Sequence, residues 1–169
     1  NQNTSDVDFE GAYNYNYGGG HGTVADPYRI YTPEQMNEIG VNVSHWDSVF
    51  KLMADIDLAG YTGTSFNMIG NASDGPFTGM FWGNGYQISN FTYTSTGTDE
   101  IGLFGYLDGM LTSVENLTLL NPVVDAGTGE YVAALVGRLS NWAKVVSCQV
   151  VGGTVDGYDS VGGLVGLIE

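Results

Sequence analysis

The sequence predicts an all-β chain folded as a parallel β-helix, because one short phrase occurs three times along it. The phrase begins at Gly102, Ala134 and Gly163, at spacings of 32 and then 29 residues. A repeat of this length is typical of a solenoid, in which each coil buries its apolar face only against its neighbours. The Val, Leu, Thr and Tyr content of the repeats favours strands over helices. We therefore expect function on the sides or at the ends of a column.

The segments between the phrases also recur. Residues 115–119 correspond to residues 146–150, and residues 123–127 correspond to residues 154–158, both at a spacing of 31 residues. Within residues 146–150 apolar and polar side chains alternate, which is the period of a half-buried strand and predicts that Cys148 faces inward. The pattern predicts about three short strands in each coil.

Residues 1–27 predict an extended arm that is distinct from the column. The segment is rich in Gly and Tyr, and Tyr13, Tyr15 and Tyr17 alternate with asparagine. This alternation places three rings on one face of an extended strand. We expect these rings to hold the arm against a second copy of the chain, and the alternative is an arm that lies along its own column.

A cap is predicted at the head of the column. Thr32 is suited to the N-cap of a helix and Pro33 to its first turn, and an apolar face follows them. A short amphipathic helix at this position would cover the first coil. The predicted β-helix domain spans residues 28–169, with a cap at 28–50, coils at 51–169 and the repeated phrases from residue 101.

The composition restricts the partners. The 169 residues carry 19 acidic and four basic side chains, for a net charge of −15. Such a charge repels nucleic acid and anionic membranes, so neither is an expected partner. The sequence has no apolar run long enough to insert into a membrane. A single cysteine excludes an intramolecular disulfide.

The sequence predicts no enzyme. A zinc-peptidase motif is absent, since His21 is followed by glycine and His45 by tryptophan, and residues 52–137 contain no Arg or Lys to serve a polysaccharide lyase as its base. A pair of carboxylates on neighbouring coils stays open as the alternative for a lyase or hydrolase. No cofactor is expected, and the one candidate calcium position is Asp55 with Asp57, which alternate outward together.

Five Asn-x-Ser/Thr sequons are candidate sites of N-glycosylation. They are Asn3, Asn42, Asn71, Asn90 and Asn116. Asn116 alternates outward against its neighbour Leu117, so a glycan there would meet no steric obstacle.

The Gly-Gly-Leu-Val-Gly phrase at 162–166 and its variants at 102 and 134 resemble the GLUG repeat of large bacterial surface and secreted proteins. The stretches at 25–30, 32–35, 52–58 and 81–91 are similar to the segment that precedes such repeats, so the resemblance covers residues 25–169. It implies an extracellular, right-handed parallel β-helix that serves in adhesion or as a spacer. It implies no activity of its own.

The sequence stops inside its third phrase, which leads us to expect an uncapped last coil with exposed strand edges. Either the native chain continues beyond residue 169 or another molecule covers this coil. The candidate assembly residues there are Leu164, Val165, Leu167 and Ile168. Together with the arm, this coil predicts an extracellular or cell-surface fibre subunit that joins copies of itself head to tail. The alternative is an adhesive module that binds cell-surface glycans, with Trp82 or Trp142 stacking on sugar rings.

Overall fold

The protein is a parallel β-helix of about four turns with one short helix near its N-terminal end, as the sequence predicts. The structure, a computed structural model, describes residues 17–169. Tyr13, Tyr15 and Asn3, all in the predicted arm, lie outside the described residues.

Short strands build the column. Their bounds are β1 Tyr28–Ile30, β2 Val49–Leu52, β3 Ile56–Asp57, β4 Met80–Trp82, β5 Gln87–Ser89, β6 Thr92–Thr94, β7 Phe104–Asp108, β8 Ser113–Glu115, β9 Thr118–Leu120, β10 Val123–Asp125, β11 Glu130–Ala133, β12 Val136–Ser140, β13 Lys144–Val146, β14 Gln149–Val151, β15 Thr154–Asp156, β16 Asp159–Gly162 and β17 Val165–Ile168. The helix α1 spans Pro33–Val41, and a 3₁₀ turn spans Val43–His45.

The strands stack into parallel sheets that run along the column, and each step within a sheet is one coil. The sheet orders are β1-β2-β4-β8-β13, β3-β5-β9-β14, β6-β10-β15, β7-β12-β17 and β11-β16. The three repeated phrases lie on top of one another, since Val136 pairs with Phe104 on one side and with Val165 on the other. The repeat period is therefore the coil period.

Close backbone packing explains the last glycine of the phrase. A Cβ atom placed on Gly137 would lie 2.6 Å from the carbonyl carbon of Glu100 and 2.7 Å from the carbonyl oxygens of Gly105 and Tyr131. These atoms belong to the backbone and cannot move aside cheaply, so a side chain does not fit at this position.

The number of strands in a coil is larger than the three expected from the sequence. The last complete coil contains five, β12 to β16, because single residues in the left-handed conformation form sharp corners. Ser147 has a φ of +52° and interrupts the predicted strand at 146–150. The corner reverses the alternation, so Val146 faces solvent with 43% of its surface exposed, while Cys148 is half-buried.

The predicted N-terminal cap forms. The Gln35 backbone amide donates to Thr32 Oγ1 at 3.3 Å, and the Gln35 side chain accepts from the Tyr31 backbone amide at 2.7 Å. Met36 and Ile39 on the inner face of α1 are fully buried. The helix therefore closes this end of the apolar core.

The core runs the length of the column. Phe50, Phe77, Phe104 and Phe81 follow one another with ring centroids 6.1, 5.6 and 5.2 Å apart, and all four rings are fully buried.

Within residues 17–169, α1 and the 3₁₀ turn are both too short to span a bilayer.

Candidate interaction surfaces

The two outermost layers of the column differ in burial. We call β13 to β17 the terminal layer and β8 to β12 the covered layer beneath it. The register pairs, covered member first, are Val114 and Val145, Leu119 and Val150, Val124 and Val155, Val132 and Val161, and Val136 and Val165. Each covered member is at most 1% exposed, whereas each terminal member is half-buried or exposed. The terminal layer thus presents an apolar cross-section of the column.

The four predicted C-terminal assembly residues lie in this layer. Val165, Leu167 and Ile168 are on β17, and Leu164 immediately precedes it. The first two and Leu164 are half-buried, while Ile168 is 70% exposed. Within the described residues, each terminal-layer strand pairs with a neighbour on one side. The layer therefore combines apolar side chains with strand edges that can accept another strand.

Tyr17, the described member of the predicted tyrosine stripe, packs against its own column. Its ring is 4.8 Å from that of Tyr28 and 5.5 Å from that of Phe50, and its exposed fraction is 9%. The Tyr17 hydroxyl lies 3.5 Å from His45 Nδ1, and burial lowers the pKa of His45. This part of the arm follows the alternative in which it lies along its own body.

The candidate calcium pair forms hydrogen bonds with the chain itself. The Asp55 carboxylate accepts from the Gln87 backbone amide at 2.9 Å. Asp57 Oδ1 accepts from the Ala59 amide at 3.0 Å and from Asn90 Nδ2 at 2.8 Å, and the Asn90 hydrogen bond lowers the pKa of Asp57. Both carboxylates thus join one coil to the next. No group of three or more His, Cys, Asp or Glu in residues 17–169 is arranged to hold a metal ion.

A buried carboxylate that the sequence analysis missed lies beside the phrase. Arg138 Nη1 is 3.1 Å from Glu100 Oε1, and Arg138 Nη2 is 2.7 Å from Glu169 Oε2. The guanidinium also lies 4.6 Å above the centre of the Tyr106 ring. The Glu100 side chain is 6% exposed and that of Glu169 is 48% exposed. The hydrogen bonds that Arg138 donates to the carboxylates of Glu169 and Glu100 raise the pKa of Arg138.

An apolar surface patch lies on one lateral corner of the column. It consists of Met110, Leu111 and Trp142, which are 64%, 75% and 78% exposed, and we call it the corner patch. A groove of about 800 Å³ adjoins it, with Leu139 among its lining residues. The sequence signal for the patch is two apolar residues in a turn, a position that is usually polar. Trp82, the other predicted sugar platform, is half-buried on β4.

The described sequons differ in whether the side-chain amide of their asparagine forms a hydrogen bond. The side-chain amide of Asn42 donates to Glu38, that of Asn71 to Asp74, and that of Asn90 to Asp57. Asn116 is exposed, and its side chain makes no hydrogen bond to any of residues 17–169.

Two curated proteins are similar to this chain. Over 160 residues, 89% of the chain, it is 35% identical to halomucin of Haloquadratum walsbyi. Over 127 residues, 73% of the chain, it is 35% identical to a putative Gly-rich membrane protein of Evansella cellulosilytica. The chain spans 2% of the length of the first relative and 14% of the second. No protein-family model and no solved structure matches it.

Proposed function

We propose that this chain is a non-catalytic structural module of a surface or secreted protein, and that its terminal layer stacks against a further parallel β-coil. In the finer form of the proposal that coil belongs to another copy of the chain, and the copies form a fibre. The observation that carries the proposal is the contrast in burial between register partners such as Val124 and Val155.

The physical chemistry of the terminal layer favours a β-coil as its partner. Full burial of a valine side chain stabilises by about 1.5–3 kcal/mol, and a part of this is unrealised at Val145, Val150 and Val155, which are partly exposed. A free strand edge adds backbone donors and acceptors at a fixed spacing. A parallel coil supplies inward apolar side chains and matching backbone groups at the same time, as each lower coil of this column does.

The relatives support the setting. One is named halomucin and the other is named a putative membrane protein, which favours the cell surface or its exterior for this chain. The net charge of −15 suits a solvated, extended protein. The resemblance to GLUG repeats adds to the proposal from the sequence side.

The non-catalytic part of the proposal is supported by the use of the carboxylates. Asp55, Asp57 and Asp99 each accept a hydrogen bond from the following coil, which is a structural task. The chain is incubated with a panel of polysaccharides, with and without calcium. Release of reducing or unsaturated sugars would contradict the non-catalytic role.

Sedimentation velocity and negative-stain electron microscopy over a range of concentrations test the stacking. The face variant is Val150→Asn with Val155→Asn, on β14 and β15. Its control is Val146→Asn with Val151→Asn, two exposed positions on β13 and β14 of the same layer. We expect the wild type and the control to associate and the face variant to sediment as a monomer, with circular dichroism confirming that it is folded. A wild type that stays monomeric would contradict the fibre. If the wild type associates, two variants that behave alike would contradict the choice of this face.

The role of the arm is tested in the full chain by Tyr13→Ser with Tyr15→Ser. A fibre joined through the arm predicts that this variant loses its filaments. Tyr17 is left unchanged because it packs within its own column. Filaments of normal length in this variant would exclude the arm as the joint.

A second candidate function, glycan binding, is favoured by the corner patch. Trp142 exposes 78% of its surface on a corner of the column, and an exposed indole can stack on the apolar face of a sugar ring. A glycan array probed with the wild type and with Trp142→Ala tests this. Binding that depends on Trp142 but survives the face substitutions would support adhesion, and no binding by the wild type would exclude it.

A further inference from the structure

The structure separates one sequon from the others by the freedom of its amide. N-glycosylation needs an Asn side-chain nitrogen that can leave its protein contacts. Asn90 Nδ2 is 2.8 Å from a carboxylate oxygen, and Asn42 Nδ2 is 2.9 Å from another. Asn71 holds a turn through both atoms of its amide, since its Oδ1 accepts from the backbone amides of Ser73 and Asp74. Asn116 has none of these commitments among residues 17–169.

The corner that carries Asn116 also has room for a sugar. Asn116 has a φ of +53° and follows β8, which directs its side chain away from the column. Glu115 pairs with Trp82 on the coil before and with Val146 on the coil after. The residues that follow these partners are Gly83 and Ser147. In the same corner the Gly85 amide donates to the Asn116 carbonyl, while the Asn84 side chain turns away to the carbonyl of Leu52. Asn116 thus has glycines on one side and a serine on the other. Glycine has no side chain and serine has a small one, so little crowds the Asn116 amide.

From these observations we propose that Asn116 is the site at which this protein carries an N-linked glycan. In the modification, Asn116 Nδ2 bonds to the anomeric carbon of a sugar held on a lipid phosphate. The bond from that carbon to the phosphate oxygen breaks, the phosphate leaves with the electron pair, and Nδ2 loses one proton. The proposal rests on the surface or secreted setting proposed above. A glycan at this place would cover a lateral face and leave the terminal layer free.

Asn90 is the matched control within the chain. It occupies a corner with a φ of +58°, it is followed by phenylalanine and threonine as Asn116 is by leucine and threonine, and its amide donates to Asp57. The Asn90 amide must break its hydrogen bond to the Asp57 carboxylate before it can react, which lowers the expected glycan occupancy of Asn90. We expect occupancy at Asn116 to exceed that at Asn90 by about tenfold.

The experiment is glycopeptide mapping by mass spectrometry of the full protein recovered from the surface or medium of the cells that make it. We expect a sugar mass on the peptide that contains Asn116, its loss in Asn116→Gln and Thr118→Ala, and its retention in Asn90→Gln and Thr118→Ser. An unmodified Asn116 in the exported protein, or equal occupancy at Asn90 and Asn116, would overturn the proposal.

Failure of the proposed function gives a different result. Protein found only inside the cells contradicts the surface setting, and the site is then tested on the folded chain with a purified oligosaccharyltransferase and a lipid-linked oligosaccharide. Transfer to Asn116 in about tenfold preference to Asn90 supports the site. Transfer to Asn90 first, or to neither, overturns it.

Discussion

The covered and terminal layers both carry valine at four inward register positions, yet these valines differ in how much of each side chain is exposed. Val124 and Val155 are partners on adjacent strands, but the first is 1% exposed and the second is half-buried. The same holds for Val132, which is fully buried, and Val161, which is 44% exposed. In a solenoid, burial depends on the next coil as much as on the residue itself.

At the opposite end of the column the apolar core is covered by a helix. There α1 covers the first coils and buries Met36 and Ile39 completely. A closed end cannot accept a strand, whereas the terminal layer has both apolar side chains and free strand edges. The proposed coil stacking therefore falls on the terminal layer.

The largest difference is expected for glycines of the phrase. Gly137→Ala places a methyl group against the backbone of the neighbouring coil and should cost about 3 kcal/mol in free energy of unfolding. Gly163→Ala, at the first position of the third phrase, is the control, since a Cβ there has no atom within 4 Å, and it should change stability by less than about 0.5 kcal/mol. The register partner of Gly137 is Gly166, where a Cβ would also lie 2.6 Å from a backbone atom, so this pair tests close packing within the phrase rather than the difference between the layers. Urea denaturation measures both, and equal effects would show that the two positions are equally covered.

The two carboxylates on Arg138 give the next contrast. Arg138→Ala leaves the buried carboxylate of Glu100 without its cation and should cost about 2 kcal/mol. Glu169→Gln removes only the half-exposed partner and should cost less than about 1 kcal/mol. Thermal and urea unfolding of the two variants test this order, and a larger loss for Glu169→Gln would reverse the assignment of the buried partner.

Register partners of identical type give the smaller contrast. Val124→Ala removes two buried carbon atoms and should cost about 1.5 kcal/mol, and Val155→Ala should cost about half as much because its side chain is half-buried. The comparison is made by urea denaturation at a concentration at which the chain is monomeric. When the chain associates, the cost of Val155→Ala should rise toward that of Val124→Ala.

The smallest effect concerns the coil-to-coil bond of Asp57. Its pKa is lower in the folded chain than its usual value, so its contribution is present above about pH 4 and is lost as the pH falls through the folded pKa. The melting temperature of Asp57→Asn should therefore fall by less than that of the wild type when the pH is lowered from 6 to 3. The terminal-layer counterpart in the register is Val151, which has no carboxylate to titrate. Equal losses in both proteins would contradict this contribution.

Much of the fold follows from the sequence because stacking repeats the same residues. The phrases at 102, 134 and 163 predict which residues of successive coils pair, and Thr32 and Gln35 predict the start of the capping helix. The corners were missed, since one left-handed residue such as Ser147 changes the direction of the strand without a turn motif. The period of the side chains alone then assigns Val146 to the wrong face.

The candidate surfaces were predicted less completely. The C-terminal apolar residues could be predicted because they repeat a phrase whose earlier copies are core. The partner of Glu100 could not, since Arg138 is 38 residues away and meets it only through the fold. The corner patch was missed because Met110 and Leu111 lie in a turn, where apolar residues belong to no strand period.

Hydrogen-exchange mass spectrometry at low and high protein concentration tests the central claim most directly. A coil that stacks on the terminal layer pairs with its strand edges, so we predict slower amide exchange in residues 144–168 when the concentration rises. Exchange in residues 113–125 should stay unchanged because β8, β9 and β10 are already paired on both sides. No concentration dependence in residues 144–168, or slowing confined to the corner patch, would contradict the assignment of the terminal layer as the docking face.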